Sequence, residues 1–312
     1  MAAKCRVRKA GASIMSVSIE PLRDRFAGGL SGIDCTKPLS PADVTAVNAG
    51  MDASGVLVFH DQNLTDEAQL TFTLNFGTIE NTGYGMTRIH FRTEQEVRML
   101  GSGIGDFSNV RGDGKTIDPN SRAYAFKLAD RLWHSDSSFK AVPAKWSLLS
   151  GRSIPSWGGN TEFADMRAAY DGLDVRWRQE IEGLVCLHSQ MYSREKVGFT
   201  ELTDAERLAF KPVRQRLVRV HPRTGRKSLF LSSHAGAVEG MSLPDGRMLL
   251  HELMEFATQE RFVYSHKWQV GDFVLWDNAA TMHRGRRFDN GEPRDIRQTR
   301  LAGDAMTIEQ AA

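Results

Sequence analysis

With 312 residues, 41% hydrophobic and 25% charged content, the chain can bury a large core and does not belong to the disordered class. A formal net charge of +2 excludes a nucleic-acid footprint spread over the surface. Cys5, Cys35 and Cys186 lie far apart without a CxxC pair, which argues against a disulfide framework or structural zinc and fits a reducing cytoplasm.

No apolar run is long enough to span a membrane. The opening segment carries Lys4, Arg6, Arg8 and Lys9 without a continuous apolar stretch, so residues 1–14 read as a disordered extension. An organelle transit peptide is the other reading of that segment. Met15 then opens a single domain over residues 15–312.

The first helix signal is Ser40 as N-cap, Pro41 at N1 and Asp43 in the first turn, with Val44, Val47 and Met51 as an apolar stripe. Val56 to Phe59 reads as a buried strand, and a second helix follows from the Thr65 cap to Gly77. From Thr78 to Arg131 glycines are scattered among polar residues, the pattern of an irregular binding loop or a plain surface insertion. Trp146 to Ser150 predicts a strand, and Gly158-Gly159-Asn160-Thr161-Glu162-Phe163 a turn entering another. Asp165 and Asp174 each precede a helical run, the second ending near Gly183. Leu217 to Val220 and Ser228 to Leu231 form a hairpin around Pro222 to Gly225, and Arg247 to Thr258 predicts an amphipathic helix. Val263, Phe273 to Trp276 and Thr299 to Leu301 supply the closing strands. Short strands punctuated by Gly and Pro describe a sandwich or barrel with helices laid around it.

Within this frame, Trp133-His134-Ser135-Asp136 places a histidine and a carboxylate two residues apart, on one face if the segment is a strand. His283, at the end of the strand that follows Phe273 to Asn278, is a third candidate ligand, and meets the others only if the sheet folds back on itself. Two histidines and one carboxylate with the remaining positions open is the donor set of non-haem Fe(II) oxygenases. Downstream, Arg294 offers a guanidinium fork for a carboxylate, and Thr161 a hydroxyl in the turn after Gly159. A surface salt bridge for Arg294 and a self-bonded turn hydroxyl for Thr161 are the other readings.

Taken together, Trp133-His134-Ser135-Asp136, Gly158 to Phe163, Trp276-Asp277-Asn278, His283 and Arg294 resemble the taurine dioxygenase family of Fe(II)/2-oxoglutarate enzymes, over nearly everything after Met15. The segments His134 to Phe139, Phe163 to Tyr170 and Met282 to Arg297 are most similar to its phenoxyacetate-cleaving branch. This resemblance implies an α+β fold with a double-stranded β-helix (jelly-roll) core and flanking helices. It implies that His134, Asp136 and His283 bind Fe(II), that Arg294 and Thr161 hold the distal carboxylate of 2-oxoglutarate, and that Trp276 packs near the iron. Oxygen is the second co-substrate, and succinate and carbon dioxide leave as an aryloxyalkanoate-type acid is hydroxylated and its ether cleaved. The partner is thus a small acidic molecule, not nucleic acid or a membrane, and a homo-oligomer is expected.

Several relatives carry a second arginine four residues beyond the co-substrate arginine, where this chain has Gln298. Arg297 and Arg300 flank it, and on a strand Arg300 shares its parity whereas Arg297 faces away. Arg300 is therefore a candidate for the substrate's acidic group, together with His188 and His234, for which buried structural roles are the alternative. His60, His221, His251 and His266 read as structural or exposed. Two other functions fit the same ligands: this chemistry on a sulfonate or alkyl sulfate, and a metal-binding β-barrel that is a hydrolase, an isomerase or a 2-oxoglutarate sensor.

Overall fold

The computed structural model describes residues 17–80, 98 and 100–310; the expected extension over residues 1–14 and part of the Thr78 to Arg131 segment lie outside them. The largest sheet orders seven strands as Ser18–Arg23, Phe26–Ser31, Val56–Phe59, Phe273–Asp277, Trp146–Ser153, Asp295–Arg300 and Gly105–Asp106. Its neighbours are antiparallel except Phe26–Ser31 beside Val56–Phe59. A three-stranded sheet of Val263–His266, Thr161–Asp165 and Thr281–Gly285 lies against it, and Phe273–Asp277 turns directly into Thr281–Gly285 to cross between the two.

The central strands are apolar on both faces because both faces are covered. Leu57, Phe59, Phe273 and Leu275 join Val47, Met51 and Phe72 of the helices Pro41–Ser54 and Asp66–Leu74. Their alternates Val56, Val58, Val274 and Trp276 meet Phe163, Leu149, Ile296 and Trp268 on the other side. Each such side chain contributes about 1.5–3 kcal/mol on burial, so this two-sided core is what holds the strands carrying the site in register. A third cluster lies beneath the helix Leu243–Ala257.

Local signals in the sequence set most of these boundaries. Ser40 caps the first helix by accepting from Asp43 N while the Asp43 carboxylate accepts from Ser40 N, and the helix stops at Gly55, whose φ of 70° is left-handed. The second helix ends at Leu74, short of Gly77, because Asn75 bonds back to the carbonyls of Thr71 and Phe72. The late helix begins at Leu243, ahead of Arg247, capped by Ser242 and tolerating Gly246, whose bare Cα packs on Val238. The hairpin pairs Val218–Val220 with Lys227–Leu229, so the first strand starts one residue later than expected and the second starts one residue earlier and ends two earlier.

The segment around His134 departs from expectation. It is not a strand: His134 makes an isolated bridge to His283, and a turn with Ser137 at a φ of 55° begins at Asp136. Of the described residues between Thr78 and Arg131, Gly105–Asp106 and the helix Arg122–Leu128 are regular.

Candidate active site

Reciprocal backbone hydrogen bonds, His134 N–H to His283 O at 2.9 Å and His283 N–H to His134 O at 2.8 Å, bring the two distant histidines side by side. Asp136 Oδ1 lies 3.8 Å from His134 Nε2 and 3.9 Å from His283 Nε2, and all three side chains are buried. Among the described residues this is the one His/Cys/Asp/Glu cluster in which three ligand atoms lie within 4.8 Å of one another. The presumed common strand face is thus replaced by a bridge and a turn, with the same convergence.

The protonation pattern makes the cluster a cation site. His134 Nδ1 lies 2.8 Å from Leu132 O, so its hydrogen is spent on that carbonyl and Nε2 presents a lone pair. Burial, followed by the nearness of the His134 imidazole, drives the His283 pKa down to about 3 and leaves that ring neutral. Burial raises the Asp136 carboxyl, but the positive potential of the surrounding His283, Arg300 and His134 side chains, with the Ser147 hydroxyl donor, outweighs it and holds the group below its ordinary range. Lone pairs of two nitrogens and a carboxylate oxygen therefore face one another, an arrangement that needs a cation between them.

Residues that sequence patterns did not mark hold the carboxylate in place. Ser147 Oγ donates to Asp136 Oδ2 at 2.6 Å and Gln298 Nε2 donates to the same oxygen at 3.0 Å. Asn278 Oδ1 accepts from Asp136 N and from Trp276 Nε1, while its amide donates to Ser147 Oγ. Trp276 does not line the adjoining cavity; its ring packs behind His283 at 4.6 Å between centroids. Gln298 is thus occupied by the metal-site carboxylate.

Beside the cluster lies a cavity of about 130 Å³ whose wall includes His134, His283, Thr161, Arg294, Arg131 and Gln298. Arg294 is half-buried, and among the described residues its guanidinium makes two long contacts, to Phe107 O and Gly159 O at 3.4 Å each, while Nε is closed to solvent and unpartnered. Burial and the nearby Arg131 lower its pKa to about 10. Arg131, on the same wall, meets no carboxylate among the described residues. Arg294 and Arg131 on one wall give the cavity the character of an anion receptor. The turn that carries Thr161 needs its glycines: Gly158 has a φ of 73°, and a Cβ there would sit 2.2 Å from Arg287 O. The described part of the Thr78 to Arg131 segment contributes Phe107, Ser108, Asn109 and Ile117 to the wall, a role glycine scatter alone could not assign to residues.

The three further candidates are placed differently. Arg300 shares the Gln298 side of its strand, but Nε lies 3.1 Å from Glu80 Oε2 and Nη1 4.0 Å from Asp136 Oδ1 and 3.2 Å from Ser137 Oγ. Lys140 meets the same Glu80 at 3.1 Å. Arg297 points the other way, to Asp295 and Asp66. His234 sits edge-on to Phe139 and to His134, at 5.1 and 5.9 Å between centroids, on the metal-centre side. His188 is fully buried, stacked on Phe230, with both ring nitrogens lacking partners among the described residues, and does not line the cavity. His221 and His266 bond to the buried Asp277 and Asp272, His60 reaches Asp272, and His251 is exposed, as read from the sequence.

Burial drives the His188 pKa down to about 3, below its unfolded value, so the unfolded chain binds the extra proton as the pH falls through about 6.5. His188 therefore costs stability on acidification to pH 5.5, by about 1 kcal/mol. His188→Phe, which keeps the stack on Phe230, is expected to lose less stability than wild type between pH 7.5 and 5.5 in urea unfolding. An equal loss in the two proteins would show that this ring is protonated in the native state.

Three kinds of likeness bear on this geometry. The model of the taurine catabolism dioxygenase TauD, TfdA family matches residues 18–300. The chain is 43% identical over 292 residues to the alpha-ketoglutarate-dependent 2,4-dichlorophenoxyacetate dioxygenase of Cupriavidus pinatubonensis, covering 94% of this chain and 100% of that one. It is 36% identical over 294 residues to the (S)-phenoxypropionate/alpha-ketoglutarate-dioxygenase of Sphingobium herbicidovorans, covering 92% and 95%. The crystal structure of AAD-2 in complex with Mn(II) and N-oxalylglycine superposes with a TM-score of 0.86 and 52% identity, over 95% of this chain and all of that one. With the site assembled as described and a family match spanning nearly the whole chain, this protein belongs to the TauD, TfdA family of dioxygenases.

Proposed function

We propose that the chain is an Fe(II)- and 2-oxoglutarate-dependent dioxygenase that hydroxylates an aryloxyalkanoate-type acid, 2,4-dichlorophenoxyacetate or a close analogue. The observation that carries this reading is a metal-ready His134, Asp136, His283 cluster opening on a cavity with Arg294 and Thr161. A dicarboxylate anchor beside a metal centre has no use in a hydrolase or isomerase. The substrate class rests on the relatives named above, which cover the whole length of the fold. The finer fold reading is a jelly-roll core, formed by the seven-stranded and the Thr161–Asp165 sheets, within one catalytic domain over residues 15–312 that works in the cytoplasm.

When bound, the metal and 2-oxoglutarate supply an oxidising equivalent from O2 that replaces a substrate C–H by C–OH, releasing succinate and CO2. The chain's own groups hold and orient the reactants. His134, Asp136 and His283 would hold the metal beside the cavity, and Ser147 and Gln298 keep the carboxylate from turning. Arg294 receives the far carboxylate of 2-oxoglutarate, while Phe107, Ile117, Leu149 and Ile296 exclude water around it. On the other side of the centre, Phe139 and His234 present an aromatic edge, and Arg300 is the cation that would meet an acidic substrate. Hydroxylation of the carbon between the ether oxygen and the carboxylate gives a hemiacetal, which collapses to a phenol and an oxo acid.

Anaerobically purified protein given Fe(II), 2-oxoglutarate, then O2 and a panel of phenoxyacetates should release a phenol and succinate in equal amounts. Succinate without phenol, with an alkyl sulfate or sulfonate consumed instead, would overturn the substrate assignment and leave the reaction class standing.

A further inference from the structure

We infer that Trp268 is a positioning residue for the co-substrate, its indole holding the Thr161 hydroxyl as a donor toward the far carboxylate of 2-oxoglutarate. The inference rests on the 2-oxoglutarate dependence proposed above. Trp268 Nε1 lies 2.9 Å from Thr161 Oγ1, and both side chains are buried. An indole N–H can only donate, so the threonine oxygen is the acceptor and its own hydrogen must go elsewhere. Among the described residues that hydroxyl makes no second hydrogen bond, and it stands on the cavity wall with Arg294. With one lone pair taken by the indole, the hydrogen of this hydroxyl remains to be donated, and the matching group is an acceptor-only carboxylate.

The indole is itself held. His266 meets it edge to face at 4.8 Å and 85°, and His266 Nε2 lies 3.0 Å from Asp272 Oδ2. The same oxygen accepts from Gln269 N at 2.8 Å, next in the chain to Trp268, which fixes the local backbone. Opposite, a Cβ at Gly151 would lie 3.2 Å from Trp268 Cε3, so the missing side chain makes room for the ring. Backbone pairing of Thr161 with His266 and with Gly285 sets the distance between the hydroxyl and the indole by strand register.

The test compares 2-oxoglutarate with pyruvate, which has the same 2-oxo acid end but no far carboxylate, bound to the Mn(II) form and measured by calorimetry. Trp268→Phe keeps the ring packing and removes the donor. It is expected to weaken 2-oxoglutarate about five- to tenfold, the worth of one hydrogen bond, and to leave pyruvate unchanged. In turnover it raises the KM for 2-oxoglutarate more than it lowers kcat. In a Thr161→Val background the same change adds nothing further, because the bond it served is gone. Thr161→Ser, which keeps the hydroxyl, retains the discrimination that Thr161→Val loses, and this pair tests the inference independently of the tryptophan variant. Equal weakening of both acids, unchanged 2-oxoglutarate affinity, or effects that add to Thr161→Val would overturn the role of Trp268. Equal affinity of the wild type for both acids would instead overturn the 2-oxoglutarate reading.

Discussion

Asp136→Ala is expected to abolish turnover and to weaken metal binding by more than about 100-fold, since loss of a group that merely orients a ligand already costs 10–100-fold. The argument starts from burial. Asp136 is the one carboxylate of the cluster, and its partners are imidazoles, so the substitution removes the only negative charge the cluster offers to the cation. It also leaves Ser147 Oγ and Gln298 Nε2 without their acceptor in a site closed to water, which retunes the pocket besides emptying it. Asp136→Asn separates the two effects, because it keeps the shape and removes the charge. Titration of Fe(II) or Mn(II) into each variant, with circular dichroism to check folding, measures the outcome. Turnover retained by a folded Asp136→Ala protein would refute the metal centre.

Why His134 and Asp136 were legible, and Ser147 and Gln298 were not, follows from what a linear pattern contains. A histidine and a carboxylate two apart, a second histidine at a strand end and an arginine beyond it are rare residue types at specific spacings. Ser147 and Gln298 are ordinary polar residues in strands, and only the antiparallel pairing of Trp146–Ser153 with Asp295–Arg300 turns both toward Asp136. The strand assumed for His134 to Asp136 failed for a local reason: nothing in Ser-Asp-Ser-Ser announces the left-handed Ser137 that turns the chain. The hairpin of Ser18–Arg23 and Phe26–Ser31 escaped notice because Pro21, Gly28 and Gly29 depress strand propensity. Tertiary contact explains it, since Gly28 and Gly50 let Ile19 approach to 2.6 and 2.5 Å of where a Cβ would stand. Parity did place Arg300 correctly beside Gln298, yet its engagement with Glu80 depends on a residue far away in the chain.

Arg294→Met is expected to raise the 2-oxoglutarate requirement by about 10- to 150-fold, the equivalent of the roughly 1.5–3 kcal/mol carried by a hydrogen bond to a charged group. The ligand-free protein should be no less stable than wild type, and this second expectation sets the first apart from a folding defect. In the free protein Arg294 is half-buried, meets no carboxylate among the described residues, reaches two carbonyls only at 3.4 Å, and stands near the like charge of Arg131. Burial has lowered its pKa to about 10, the sign of a cation held against its solvation preference. Methionine fills similar space without a charge to desolvate. The unfavourable free state is what makes the site demand an anion: a carboxylate entering the cavity supplies the partner that the fold withholds. Wild type should therefore gain more thermal stability than Arg294→Met when Mn(II) and N-oxalylglycine are added together, while Mn(II) alone stabilises the two equally. Equal gains with the dicarboxylate, or an unchanged 2-oxoglutarate requirement, would remove Arg294 from the anchor and leave Arg131 as the cation to test in its place.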